Sequence, residues 1–399
     1  MDFDAILTAF AESRSEPAMQ ALIDRARNDG LSDDELARLA RVLADSGATL
    51  SLPSTVTATD IPSTGGPGSL STLISPLFLV ALGCAVPKLA VTGRPAGGID
   101  VMAQVPFYRI TLSGTDVLRI IERCRYAHFL ATTDHAPLDA RLFDYRRKTG
   151  TVNVPALAIA SLLAKKLAVG LAKVGLEVRV APHGNFGGTW TESRANAARF
   201  CKIARIVGID AICFLTDASR PYQPFVGRGE ALMALAQLLE GKQGPWLEQH
   251  VRMCFAMARS VAGADSLSLP TKDQIIRAFA ANLEAQGSNL EMFFECVRHI
   301  SEAPRSDISA EKSGYLVIDL TRIRGPLVKL QDDFKTTAIP YPDPAGVVFA
   351  KNTGDYVHRG EVVASVRCDS LEIRSELAQA FHITHNPGAA LGFEEVRNA

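Results

Sequence analysis

The sequence predicts an α/β protein made of a small α-helical lobe, an α/β domain with a mixed or parallel sheet, and a C-terminal α+β domain. Three observations carry this reading. The first fifty residues repeat apolar positions at helical spacing, the middle of the chain alternates short strand-like runs with helical patterns, and beyond about residue 310 short alternating stretches with Gly-Asp turn chemistry take over.

Composition sets the bounds. A chain of 399 residues with 47% hydrophobic side chains can bury large cores and should divide into two or three domains. A formal charge of −1 gives no basic bias towards nucleic acid. The seven cysteines, among them Cys84, Cys124, Cys201 and Cys213, form no CxxC pair and no cluster with histidine. Neither a zinc site nor a disulfide framework is therefore expected, and a reduced, cytoplasmic setting fits. The acidic start, Met1-Asp2-Phe3-Asp4, argues against export. Leu70 to Val86 is shorter than the ~20 residues of a membrane span and contains Ser71, Thr72, Ser75 and Pro76, so it reads as a buried helix and no membrane partner is expected.

In chain order, Ala18, Leu22, Ile23 and Ala26, then Leu36, Leu39, Ala40 and Leu43, mark helical faces, and Ser32-Asp33-Asp34-Glu35 has the form of a capping box. Ser51 to Ser63, with Pro53, Pro62 and several Ser and Thr, reads as a linker. Ser63-Thr64-Gly65-Gly66-Pro67-Gly68-Ser69 then organises the rest. Glycine lets the backbone approach an anion, and a helix starting beyond it points N–H groups and a positive dipole at that anion; the plainer alternative is a turn.

Lys88 to Thr92, Leu176 to Val180 and Ala211 to Thr216 are strand-like. Each ends in a loop of functional residue types: Gly93-Arg94-Pro95-Ala96-Gly97-Gly98, Pro182-His183-Gly184-Asn185, and Asp217-Ala218-Ser219-Arg220. Ligands of such sheets bind outside the carboxyl ends of the strands, so a shared site is expected there. Pro137 to Leu171 returns to helix, where Ser161 and Lys165 share one face among Ala158, Leu162 and Leu163. Lys165 and Lys166 read either as functional cations or as side chains snorkelling to water. Gly354-Asp355 reads as the turn of a hairpin, no lysine lies between methionines to carry biotin, and the tail after Phe381 is short and polar.

The segments Ala44 to Leu50, Ser63-Thr64-Gly65-Gly66, Thr92-Gly93-Arg94, Tyr145-Arg146, Ile159 to Lys166, Leu215-Thr216-Asp217 and Gly227 to Leu232 together resemble the thymidine and pyrimidine-nucleoside phosphorylases, in that family's order and nearly its spacing. The likeness runs through most of the chain, and the serine-to-double-lysine helix is its most specific element. It implies the class II nucleoside phosphorylase fold, with an α lobe from residues 1–52 and 137–171, a phosphate-binding α/β domain from 53–136 and 172–305, and a C-terminal domain from 306–399. It also implies reversible phosphorolysis of a nucleoside to free base and sugar 1-phosphate, with phosphate as co-substrate, no cofactor and no metal, in a homodimer formed through the N-terminal helices.

By the same resemblance Arg146, Ser161 and Lys165 fall where the family binds the pyrimidine ring. Arg146 and Lys165 would stabilise the departing base anion, and Ser161 would hold the ring by its N3 and O4 edge. Backbone N–H groups of Ser63, Thr64, Gly65, Gly66 and Gly68, with the hydroxyls of Ser63, Thr72 and Thr92, would hold phosphate for attack at C1′. The chain departs from the family at Ile61-Pro62, where a Lys-His pair is usual, at the shortened stretch Pro95 to Asp100, and at Ser69 in place of an aspartate. Weak phosphate binding follows as an expectation, relieved by Ile61→Lys with Pro62→His. His183, Arg94 and Lys88 are candidates to compensate. Two alternatives stay open: a paralogue that binds a pyrimidine-like ligand without phosphorolysis, and a phosphoribosyltransferase, since Pro182-His183-Gly184-Asn185 beside a Thr-Gly-Gly loop is similar to anthranilate phosphoribosyltransferases.

Overall fold

The computed structural model describes residues 2–53, 56–93, 95–132, 134–182, 184–264, 266–386 and 393–397. Arg94 and His183, two of the candidates to compensate, lie outside the described residues.

The N-terminal helices are α1 (Phe3–Ser13), α2 (Glu16–Asn28) and α3 (Asp33–Ala44). The capping box is present as expected: Glu35 N donates to Ser32 Oγ at 3.2 Å, and Ser32 N donates to Glu35 Oε2 at 2.6 Å. The glycine-rich loop leads into α4 (Ser71–Ala81), which is buried almost throughout but ends earlier than the sequence reading has it, because β1 (Val86–Ala90) begins inside the same apolar run. Next come α5 (Gly98–Met102), α6 (Gly114–Cys124) and β2 (Tyr126–Leu130). The expected helical stretch 137–171 is two helices, α7 (Pro137–Lys148) and α8 (Pro155–Ala168), broken where Gly150 takes a positive φ of 68° and Pro155 opens the second helix.

The α/β part continues with β3 (Lys173–Val180), α9 (Trp190–Ile206), β4 (Asp210–Asp217), β5 (Phe225–Val226) and the helices α10 (Arg228–Glu240), α11 (Pro245–Ala262), α12 (Lys272–Ala285) and α13 (Leu290–Glu302). The C-terminal elements are β6 (Ser306–Ser309), β7 (Gly314–Ile318), α14 (Leu320–Asp333), β8 (Gly346–Phe349), β9 (Tyr356–Val357), β10 (Val362–Arg367), α15 (Leu371–Ala378), β11 (Phe381–Thr384) and β12 (Phe393–Arg397).

β1 pairs parallel with β2, and β3 pairs parallel with β4. Residues 57–63, read from sequence as linker, run between the two pairs. Thr59 N donates to Ala85 O on one side, while Gly175 N and Glu177 N donate to Asp60 O and Pro62 O on the other. Proline is tolerated there because only its carbonyl is needed by the neighbouring strand. The tail also departs from expectation: β12 leaves the C-terminal part and pairs antiparallel with β4. So does the hairpin, since β8 pairs with β10 while β9 pairs with β7. Around α8 the apolar core includes Leu39 and Leu43 of α3 with Ala160, Leu163 and Ala164. α8 is buried on nearly every side, which places its polar residues in a low-dielectric interior.

Candidate active site

A cleft of about 590 Å³ opens at the carboxyl ends of the central strands, where loops of the α/β part face α7 and α8. Ser63, Thr64, Gly65, Gly66, Thr72 and Thr92 line it from one side. Arg146, Ser161 and Lys165 line it from the other. Gly68 lies outside its lining: a Cβ there would meet Leu320 Cδ1 at 3.8 Å and Val226 Cγ2 at 3.9 Å, and its carbonyl accepts from Gln223 Nε2 at 3.0 Å. This glycine anchors the loop to its surroundings, away from the cleft.

On the α-helical side, α8 presents Ser161 and Lys165 one turn apart, and α7 presents Arg146. Lys165 Nζ donates to Asp139 Oδ2 at 2.7 Å, Ser161 O at 2.6 Å and Ser161 Oγ at 2.8 Å. Arg146 is 1% exposed, with Nε donating to Thr151 O at 3.3 Å and Nη2 to Val152 O at 2.7 Å. Burial lowers the Arg146 guanidinium to about 10, and burial likewise lowers Lys165, in both cases against the pull of Asp139. Two cations thus face one carboxylate. Neither Lys165 nor Lys166 snorkels: both are buried, and each is paired with an aspartate.

On the loop side, Gly65 and Gly66 take positive φ angles of 86° and 112°, which a side chain would strain, and a Cβ on Gly65 would meet nothing within 4 Å. The loop is held by a pair that sequence reasoning missed. Arg179 donates through Nη1 to Gly66 O at 3.0 Å and through Nη2 to Ser71 Oγ at 3.2 Å, while its Nε meets Glu177 Oε2 at 2.8 Å. Glu177 also accepts from Ser69 Oγ at 3.1 Å and Ser71 Oγ at 2.5 Å. Burial raises the Glu177 carboxyl, and Arg179 with these hydroxyls outweighs it, leaving it below the usual range. Ser69, where the family carries an aspartate, thus accepts from Ser71 N at 3.2 Å while leaning on Glu177. The hydroxyl of Thr64 is occupied by Arg179 N at 3.0 Å, and that of Thr92 accepts from Arg147 Nη1 at 3.2 Å. A readable signal existed: Glu177 and Arg179, spaced by two, share one face in the midst of the apolar run Val174 to Val180.

Beneath the loop, Asp60 is wholly buried between Lys88 Nζ at 2.6 Å and Lys166 Nζ at 2.5 Å, and all three residues line the cleft. Burial raises this carboxyl, and the two ammonium groups override it and hold it at about 2. Lys88 Nζ also donates to Ile61 O at 3.1 Å. Opposite Lys88 in the β1–β2 register stands His128, fully buried and lining the same cleft. Among the described residues no set of three or more His, Cys, Asp and Glu side chains is placed to hold a metal ion, and no helix is long and apolar enough to cross a membrane.

This geometry is that of a mixed α/β architecture with a cleft between a helical lobe and glycine-rich loops, and comparison supplies the family. The chain is 30% identical to the thymidine phosphorylase of Sinorhizobium fredii over 357 residues, covering 84% of this chain and 80% of that one. It is 29% identical to the thymidine phosphorylase of Agrobacterium fabrum, covering 86% and 82%, and 24% identical to the pyrimidine-nucleoside phosphorylase of Staphylococcus epidermidis, covering the same shares. The chain belongs to the thymidine and pyrimidine-nucleoside phosphorylase family. No family profile matches it. Among solved structures, anthranilate phosphoribosyltransferase of Saccharomyces cerevisiae shares the fold, with a TM-score of 0.50 at 14% identity over 74% of this chain and 90% of that one.

Proposed function

We propose that the chain catalyses reversible phosphorolysis of a pyrimidine nucleoside, releasing the free base and a sugar 1-phosphate, with inorganic phosphate as co-substrate and without a cofactor or metal. One observation carries this reading: a single cleft holds two charge clusters, Lys165 and Arg146 beside Asp139 and Lys88 and Lys166 around Asp60, each with one positive charge in surplus. The reaction has two anionic participants, the attacking phosphate and the departing base, and each cluster suits one of them.

A phosphate oxygen attacks C1′, the C1′–N1 bond breaks, and its electron pair passes to the base. Arg146 stabilises that charge with the guanidinium hydrogens its carbonyl partners leave over. The Ser161 hydroxyl, whose oxygen already accepts from Lys165, turns its own proton to the ring edge. Backbone N–H groups of the Ser63–Gly66 loop orient phosphate. A homodimer through α1, α2 and α3 and a cytoplasmic setting belong to the same proposal. Release of base from a nucleoside panel, with phosphate or arsenate as acceptor, tests it.

A second reading, a base-binding paralogue without turnover, draws on the hydrogen bonds of Lys165, whose three ammonium protons are taken up by Asp139 and Ser161. It differs in one outcome, since base binds but no acceptor releases it.

A further inference from the structure

We propose that Lys88, His128 and Thr72 form the oxyanion subsite of this cleft, so that the phosphate group is gripped from strands β1 and β2 and the first turn of α4, in place of a charged pair on the loop before Ser63. The inference rests on the phosphorolytic reading for the identity of the anion, and on independent geometry for the site.

Lys88 and His128 are directly paired across β1 and β2, so their side chains emerge on the same face. His128 is 0% exposed, and its Nε2 has no hydrogen-bond partner although it lies in the cleft lining. Its Nδ1 lies 3.1 Å from Tyr126 Oη. The phenol is fully buried and has no other acceptor within reach among the described residues. It donates to Nδ1, and the ring proton sits on Nε2 as a donor without an acceptor. A buried donor left in that state costs about 1–3 kcal/mol, so a ligand that accepts from it is what the site lacks.

Thr72 supplies the third donor. A Cβ added at Gly98 would lie 3.0 Å from both Thr72 Oγ1 and His128 Cε1, so the two side chains converge on one point of the wall, and glycine at 98 keeps that point open. Lys88 brings the charge. It shares Asp60 with Lys166, which leaves one positive charge uncompensated beside the neutral imidazole. Burial and the neighbouring ammonium of Lys88 hold His128 well below its ordinary value, so it acts as an N–H donor and not as a second cation. Gln286 fixes the strand beneath, donating through Nε2 to His128 O at 2.9 Å and accepting from His128 N at 2.8 Å. A lysine, an imidazole N–H and a hydroxyl in the lining of one cleft suit a tetrahedral oxyanion.

Calorimetry on the full chain with inorganic phosphate alone, and separately with free uracil, tests this. Lys88→Met and His128→Phe should each weaken phosphate binding about tenfold or more, the loss of one charge-assisted or buried hydrogen bond, with uracil affinity held and Lys88→Arg restoring most of the phosphate affinity. Phosphate affinity unchanged in both variants, or no phosphate binding by the wild-type chain at millimolar concentration, overturns the subsite. In the unsubstituted protein, isotope-labelled histidine provides a readout that needs no variant to fold: the Nε2–H resonance of His128 should move on adding phosphate and stay in place on adding uracil. Its failure to move overturns the assignment. Phosphorolysis with unchanged phosphate affinity in both variants removes only the subsite. Weakened phosphate binding in a chain that never releases base removes only the nucleoside reading.

Discussion

Lys88 Nζ donates a 3.1 Å hydrogen bond to the carbonyl oxygen of Ile61, the residue that stands where the family carries its loop lysine. The Ile61 side chain points the opposite way. It is fully buried, and a Cβ built on Gly175 would sit 3.0 Å from it, beside Phe214 and Val261. The charge therefore reaches this place from a neighbouring strand, while position 61 itself belongs to the apolar core.

That arrangement reverses an expectation drawn from sequence. Ile61→Lys with Pro62→His should not restore phosphate affinity, because the new ammonium enters the core beside Phe214 and not the cleft. An uncompensated buried charge costs about 3–5 kcal/mol, so the variant should lose most of its stability in denaturant titration. A stable variant with raised phosphorolysis would show that the side chain at 61 can reach the cleft.

Arg146→Ala should remove roughly 2–4 kcal/mol of transition-state stabilisation, the usual effect of deleting one donor to a developing anion, and Lys165→Ala should slow turnover in the same direction by removing the nearby positive charge and the hydrogen bond that sets the Ser161 hydroxyl. The loss should appear in kcat/KM for nucleoside. Lys165→Ala also leaves Asp139 without its 2.7 Å partner, so its stability should fall as well, which the melting temperature reports. Wild-type turnover in both variants would remove the base side of the site.

His250 Nε2 accepts from Leu70 N at 2.8 Å, immediately before α4, and it does so only as a neutral imidazole. Burial, aided by Arg179 and opposed by Glu177, lowers it to about 4 from an ordinary 6.5. The unfolded chain then binds the extra proton first as pH falls. The contribution is complete above pH ~6.5 and is lost as pH drops through about 4, amounting to ~3 kcal/mol. In His250→Gln, whose amide oxygen can accept from the same N–H, the stability difference between pH 7 and pH 4 should shrink by about that amount. An unchanged pH profile would place the sensitivity elsewhere.

Three chain crossings between the α-helical lobe and the sheet meet in one place. Leu50 N donates to Ala168 O at 2.8 Å, Ala48 N donates to Asp134 O at 2.7 Å, and Leu138 N donates to Ser46 Oγ at 3.1 Å. Gly170, at a φ of 68°, would bring a Cβ to 2.8 Å from Leu50 O. On the proposed function, with the base held by one lobe and phosphate by the other, this bundle of short connections should act as a hinge. Solution scattering should record a smaller radius of gyration with base and phosphate together than with either alone, and equal values would exclude closure.

What sequence makes legible here is local. The capping box at Ser32, the glycine loop, the helix bearing Ser161 and Lys165 and the three strands ending in polar loops all rest on contacts between near neighbours or on family spacing. What it hides is made by distance along the chain. Asp60 meets Lys166 across 106 positions, and the Glu177–Arg179 clamp reaches back to Gly66 and Ser71. Residues 57–63 look like linker because proline and polar residues mask an extended run whose partners lie on both sides, and β12 looks like tail because its pairing with β4 reaches back about 180 residues. His128 gives no local sign of function, since a histidine in an apolar strand reads as core until its unpaired nitrogen is placed in a cleft.

The central claim is that this one cleft breaks a nucleoside at C1′ with phosphate. The most direct measurement is base release from thymidine, uridine and deoxyuridine, each with and without phosphate, followed with Arg146→Ala in parallel. Saturable release of free base is expected that requires phosphate or arsenate, yields sugar 1-phosphate with phosphate, and falls by about 1.5 to 3 decades in the variant. No acceptor-dependent release from any of the three nucleosides, in a chain that still binds free pyrimidine base, would contradict it.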